Sequence, residues 1–187
     1  MPSGKLIVIS APSGSGKTTI AKEIMNRFPD LGFSVSGTTR SKRVGEVDGR
    51  DYFFLTREEF KRRIAEGEFV EWEELYGDCY GTLKSEVDRV LESGHHLLFD
   101  VDVKGGLSIK KQYPDALLIF IFPPSVAALK DRLLKRQTED DVTLQRRLDR
   151  VTMELELGSK FDFQIVNDEL DRAIREVQSV IEHHFAT

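Results

Sequence analysis

The chain has 187 residues, enough for one good core with room for a subdomain or two set into it. Forty per cent of the residues are apolar and 32% charged, an ordinary soluble composition, and the formal charge of -5 argues against a general nucleic-acid binder, which needs excess Lys and Arg. One cysteine, Cys79, excludes an internal disulfide and reads as a small packed residue in a reducing, cytoplasmic protein; the longest apolar run, 116–122, is too short for a membrane span, and monomer or homo-oligomer stays open.

Residues 6–10 (LIVIS) predict a buried strand that runs into Ala11-Pro12-Ser13-Gly14-Ser15-Gly16-Lys17-Thr18-Thr19. An amphipathic pattern with Ile20, Ile24 and Phe28 on one face follows, ended by Pro29. Strand, glycine-rich loop and helix in this order build a phosphate cradle: Gly14 and Gly16 let the backbone bend close to an anion, and the helix N-terminus points its N–H groups at phosphate oxygens. Lys17 then reaches the β and γ phosphates of a nucleoside triphosphate, and the Thr18 hydroxyl sits on Mg2+. The pattern G-x-x-x-x-G-K-[ST] is met except at its first position, which is Ala11. A glycine-rich turn that binds nothing is the alternative.

Residues 33–36 (FSVS) predict a short strand. A basic loop follows, with Arg40, Lys42 and Arg43 clustered in an acidic protein; it suits a second phosphate, or is a solvated loop. Residues 51–56 read as a strand, and Thr56 with Glu59 forms a capping box that opens a helix over 57–66, stopped by Gly67. Residues 68–75 and 78–83 read as further strands. The segment 37–83 therefore looks like a small inserted domain of short, antiparallel strands on the substrate side.

A helix over 84–93 is closed by Gly94, and His95 and His96 read as a solvated turn. Residues 97–102 (LLFDVD) predict a strand that carries Asp100 to its carboxyl end beside the loop, where a carboxylate holds Mg2+ or its waters; Asp102 fits a helix cap near Gly105 better. Residues 116–122 predict a strand buried on both faces, which points to a parallel sheet. Ser125 caps a helix over 126–136, residues 137–141 break it, and a charged helix spans about 142–157. Most of Arg132, Arg136, Arg146, Arg147 and Arg150 read as ion-paired helix faces, with one or two free to close over a phosphoryl group. Residues 163–166 form the last strand, Asn167 or Asp168 opens a terminal helix, and His183 and His184 read as exposed.

Taken together, SAPSGSGKTT (10–19), FSVSGTTRSKRVGEVDGRDYFF (33–54), EFVEW (68–72), YGT (80–82), LLFDVDVKG (97–105), FPPS (122–125) and VND (166–168) resemble the guanylate kinases over about residues 4–185. The resemblance implies an α/β fold of the P-loop NTPase, adenylate-kinase-like kind: a central parallel sheet flanked by helices, with an inserted mixed α+β GMP-binding domain and a small helical lid. The core would be 1–36, 84–124 and 160–187, the insertion 37–83 and the lid 125–159. It implies transfer from MgATP to GMP, and to dGMP, in purine nucleotide metabolism and GMP recycling. By resemblance Arg40, Arg43, Tyr52 and Tyr80 hold the GMP phosphate, while Ser36, Glu71 and Thr82 read guanine. Asp100 and Asp102 lie between the nucleotides, Lys17, Arg132, Arg136 and Arg147 face the phosphates, and Asn167 and Asp168 lie at the adenine end.

Glu71 also has a chemical warrant, since a carboxylate accepts from both the N1–H and the 2-amino group of guanine, a donor pair adenine lacks. The chain departs from the family pattern at Ala11, at Lys42 where proline is frequent, and at Gln137 where glycine is usual, the last bearing on the lid hinge. Two rival readings stand beside this one. A related kinase with another phosphate-bearing acceptor would leave Glu71 without a partner, and a scaffolding module of the same fold tends to lose the P-loop lysine, which is present here as Lys17.

Overall fold

The computed structural model describes residues 4–75, 77–125, 127, 129 and 141–186, with the backbone alone for 141–149. Strand β1 (Leu6–Ser10) is buried along its whole length, because side chains on successive residues point to opposite faces and both faces are covered. Ile7 and Ile9 pack with Ile20, Ile24, Val177 and Ile181 on one side of the sheet. Leu6 and Val8 pack with Val87, Val90, Phe99 and Phe120 on the other.

The sheet around β1 is built from β2 (Leu31–Phe33), β7 (His96–Asp100), β8 (Leu117–Phe122) and β9 (Phe163–Val166), in the order β2-β7-β1-β8-β9 and parallel throughout. Helices α1 (Lys17–Arg27), α3 (Lys84–Glu92), α4 (Val103–Gln112), α5 (Asp141–Gly158) and α6 (Leu170–Ala186) are, among the described residues, the other long elements of this part of the chain. Among the described residues no helix is long and apolar enough to cross a membrane.

A second, four-stranded sheet has the order β4-β3-β6-β5, from β3 (Gly37–Thr38), β4 (Phe53–Phe54), β5 (Phe69–Leu75) and β6 (Asp78–Leu83). It is mixed: β3 and β4 run parallel, whereas β6 is antiparallel to both its neighbours. Helix α2 (Arg57–Ala65) begins at the expected cap, where the Glu59 amide donates to Thr56 Oγ1 over 3.1 Å. Phe60, Phe69, Cys79 and Leu83 give this sheet a small core of its own.

Several elements depart from the sequence expectation. The strand expected over 33–36 lies at Leu31–Phe33, and residues 51–56 contribute only the two residues of β4, since partner strands decide where pairing stops. The His95–His96 turn is half wrong: His96 pairs with Leu31 as the first residue of β7. Its Nδ1 accepts from the Lys5 amide at 3.0 Å, and its ring stacks on Phe185 at 4.0 Å. His184 is likewise partly buried, its carbonyl accepting from Lys5 Nζ. The helix expected over 126–136 and the break after it fall almost wholly outside the described residues.

Candidate active site

The loop between β1 and α1 folds as its glycines require, with φ of +87° at Gly14 and +90° at Gly16. Gly16 is also the residue from which α1 starts, its carbonyl accepting from the Thr19 and Ile20 amides. A Cβ on Gly16 would lie 2.5 Å from Asn167 Nδ2. That amide group is buried and donates to the Ser15 carbonyl at 2.8 Å, so Asn167 props the loop from beneath. Asp168 is exposed, accepting from Arg172 Nη2 at 2.6 Å. A Gly16→Ala variant is therefore expected to lose about 2–3 kcal/mol in urea unfolding, from the positive φ and the clash together. A loss under about 0.5 kcal/mol would show that the loop yields freely.

Lys17 Nζ forms an ion pair with Asp100 Oδ1 and lies 3.4 Å from the Val101 carbonyl oxygen. Asp100 is the last residue of β7, which pairs beside β1, so sheet register alone delivers the carboxylate to the loop. The next carboxylate, Asp102, caps α4 by accepting from the Gly105 amide at 2.8 Å. Its second oxygen accepts from Arg150 Nη2 at 2.9 Å.

Two cavities open on either side of this wall. One, of about 400 Å3, runs along residues 11–14 and 16–19 of the loop to Arg150, Val151 and Glu154 of α5. The other, of about 270 Å3, is lined by Ser36, Tyr52, Glu71, Glu73, Tyr80 and Asp100, among others. Lys17, Leu75 and Asp102 line both. Thr18 and Asp100 together line a third, adjoining cavity of about 310 Å3.

Glu71 is aimed into the second cavity by an irregularity in the strand. The β5–β6 register shifts between Phe69 and Glu71, so that Phe69 and Val70 are both buried while Glu71, Glu73 and Leu75 share the cavity side. Thr82 sits opposite Glu71 and its Oγ1 donates to Oε1 at 2.7 Å. Burial pushes the Glu71 carboxyl up to about 7, with the Thr82 bond opposing the rise. Glu73 is also pushed up to about 7, by burial and by its hydrogen bond with Asp102.

The arginine loop is less open than its charge suggests. Arg40 donates to both Glu46 carboxylate oxygens, at 3.1 and 2.7 Å, and lies 5.2 Å from the Tyr52 ring centroid. The Arg40 bond holds the Glu46 carboxyl below its usual range. Arg43 is exposed, and its amide donates to Glu46 Oε2 at 2.7 Å. Tyr52 and Tyr80 meet edge to face at 6.2 Å.

The structure thus brings Ser36, Tyr52, Glu71, Tyr80, Asp100 and Asp102 to one cavity; Thr82 joins them through Glu71. Arg132 and Arg136 lie outside the described residues, and Arg147 lies on α5 with its side chain outside them. Sequence reasoning passed over Glu73, Gly105 and Glu154. The two-residue spacing of Glu71 and Glu73 and the four-residue spacing of Arg150 and Glu154 were the available signals. Gly105 had none: a Cβ there would lie 2.9 Å from Glu71 Oε2, a contact set up between β5 and α4.

Comparison with known proteins covers the whole of this architecture. The family model described as guanylate kinase matches residues 3–184. A guanylate kinase of Chlorobium chlorochromatii is 50% identical over 181 residues, 96% of this chain and 95% of its own. One from Thermotoga maritima is 46% identical over 95% of this chain and 86% of its own. The crystal structure of guanylate kinase from Anaplasma phagocytophilum superposes with a TM-score of 0.77 at 27% identity, covering 98% of this chain and 87% of that one. By the extent of the family match and the identity to these relatives, the chain belongs to the guanylate kinase family.

Proposed function

We propose that the protein transfers the γ-phosphoryl group of ATP to GMP, and to dGMP by the same contacts, giving ADP and GDP or dGDP. The observation that carries this reading is the pair of cavities that share Lys17 and Asp102, one lined by the P-loop and the other by Glu71. ATP lies along the first, its phosphates against the loop amides and Lys17, with Asn167 shaping the loop from below. GMP lies in the second, its base against Ser36, Glu71 and Thr82, its phosphate toward Arg40, Arg43, Tyr52 and Tyr80. The division into core, GMP-binding insertion 37–83 and lid 125–159, and a phosphate-facing role for Arg132, Arg136 and Arg147, are part of this reading through the family resemblance.

The chemistry needs no covalent intermediate on the protein. An oxygen of the GMP phosphate attacks the γ-phosphorus in line while the site aligns the two and neutralises charge. Glu46 already holds Arg40 in the half-buried position from which its guanidinium meets the phosphate. Thr18 and Asp100 line one cavity and offer a hydroxyl and a carboxylate, hard oxygen donors of the kind Mg2+ takes alongside water and phosphate. When bound there as MgATP, the ion supplies charge neutralisation on the phosphates. Cytoplasmic placement suits the buried, unpaired thiol of Cys79.

A coupled assay of ADP release tests the reading, with MgATP and in turn GMP, dGMP, AMP, CMP, UMP and no acceptor. Turnover confined to the two guanine nucleotides is expected; comparable turnover with several bases would remove the assignment of Glu71. Glu71 accepts both guanine hydrogen bonds only when ionised. Its raised value makes kcat/KM for GMP climb up to about tenfold per unit as pH rises toward 7, then level off. The profile of kcat/KM for ATP, at saturating GMP, should lack that limb.

A further inference from the structure

We propose that Arg150 is a positioning residue that couples the two halves of the site, fixing Asp102 and Glu73 for the acceptor from a helix that lines the donor cavity. The inference rests on the donor and acceptor assignment above. Arg150 lies on α5 and lines the cavity of the P-loop, yet its Nη2 donates to Asp102 Oδ2 at 2.9 Å and to Glu73 Oε2 at 3.0 Å, both of which line the other cavity. Nε donates to Glu154 Oε1 at 2.8 Å on the next turn of its own helix.

One guanidinium therefore joins three segments that are remote in sequence: β5, the cap of α4 and α5. Three carboxylates converge on it, so without it Asp102, Glu73 and the buried Glu154 would lose the one guanidinium that all three share. Asp102 has both oxygens engaged, Oδ1 by the Gly105 amide and Oδ2 by Arg150, which leaves it a single orientation. The same amide-bearing residue, Gly105, backs Glu71 Oε2, so a swing of Asp102 disturbs the seat of the base-reading carboxylate. A planar fork is suited to this work, because two N–H groups hold fixed directions at once.

The test compares wild type, Arg150→Met, Asp102→Asn and the double variant. Wild-type turnover of GMP stands as the separate test of the donor and acceptor reading. In Arg150→Met, KM for GMP and the Kd for GMP alone, followed by the fluorescence of the single tryptophan Trp72, are expected to rise about ten- to a hundredfold. KM for ATP should stay within about twofold. In the Asp102→Asn background the same substitution should have a clearly smaller effect, since only the hold on Glu73 is left to lose. An equal loss in both backgrounds, an unchanged affinity for GMP, or a loss shared evenly by the two substrates would overturn the proposal. If Arg150→Met does not fold, Arg150→Lys serves in its place, with a smaller rise in the same constants expected.

Discussion

In a Glu71→Gln variant, kcat/KM for GMP is expected to fall about a thousandfold, while KM for ATP changes less than about twofold. The substitution keeps shape and the Thr82 bond but turns one acceptor into an N–H donor, which then faces a donor on the base. Two hydrogen bonds to a charged acceptor are at stake, each worth about 1.5–3 kcal/mol in such a setting. The same variant should be the more stable protein at pH 8. Glu71 ionises at about 7 in the fold against an ordinary value of 4.5, so between those pH values the folded state holds a proton the unfolded chain has released. Stability contributed by this group therefore falls as pH rises through that window, and glutamine removes the fall.

One edge of the carboxyl faces the cavity, so the gain expected at pH 8 is about 1–3 kcal/mol, read by urea unfolding, with none at pH 4. A variant that kept its preference for GMP, or that lost stability equally at both pH values, would mean that the base is read elsewhere and that Glu71 is a packing residue.

The second large effect is on the chemical step. Lys17→Met is expected to lower kcat about a thousandfold and leave the Kd of GMP alone nearly unchanged, measured by single turnover and by Trp72 fluorescence. The ammonium lines both cavities, and its partners Asp100 and the Val101 carbonyl hold it at their junction. A drop of less than about tenfold would place the transferring group away from this junction.

Much of this was legible in the chain because several signals agreed at once. For β1, the loop and α1, apolar run, glycine spacing, Lys-Thr and helical periodicity all point to one structure. The capping box at Thr56 and the stop at Gly94 were local chemistry and read directly. Where the sequence reading slipped, a partner strand decided the outcome. His96 became a strand residue because Leu31 lies beside it, and β3 and β4 are two-residue strands whose pairing no periodicity can announce.

The site divides in the same way. Residues on named motifs could be located by their neighbours in sequence, whereas Gly105 against Glu71, Asn167 beneath Ser15 and Arg150 across to Glu73 exist only once the chain has folded. The prop at Asn167 shows the difference: its motif position points to the adenine end, and only the fold shows that its Nδ2 also donates to the Ser15 carbonyl beneath the loop.

The small core of Phe60, Phe69, Cys79 and Leu83 has a consequence for how such an enzyme changes over generations. The chain leaves the parallel sheet after β2, folds this second sheet around its own apolar residues, and returns through α3 to pair β7 against β2. The sheet that bears the P-loop and the sheet that bears Glu71 thus have largely separate cores, joined at Val70 of β5, which packs among the residues of the first. Selection can rework the second without rebuilding the first, and a lineage can drift toward a new acceptor while its phosphate chemistry stays intact.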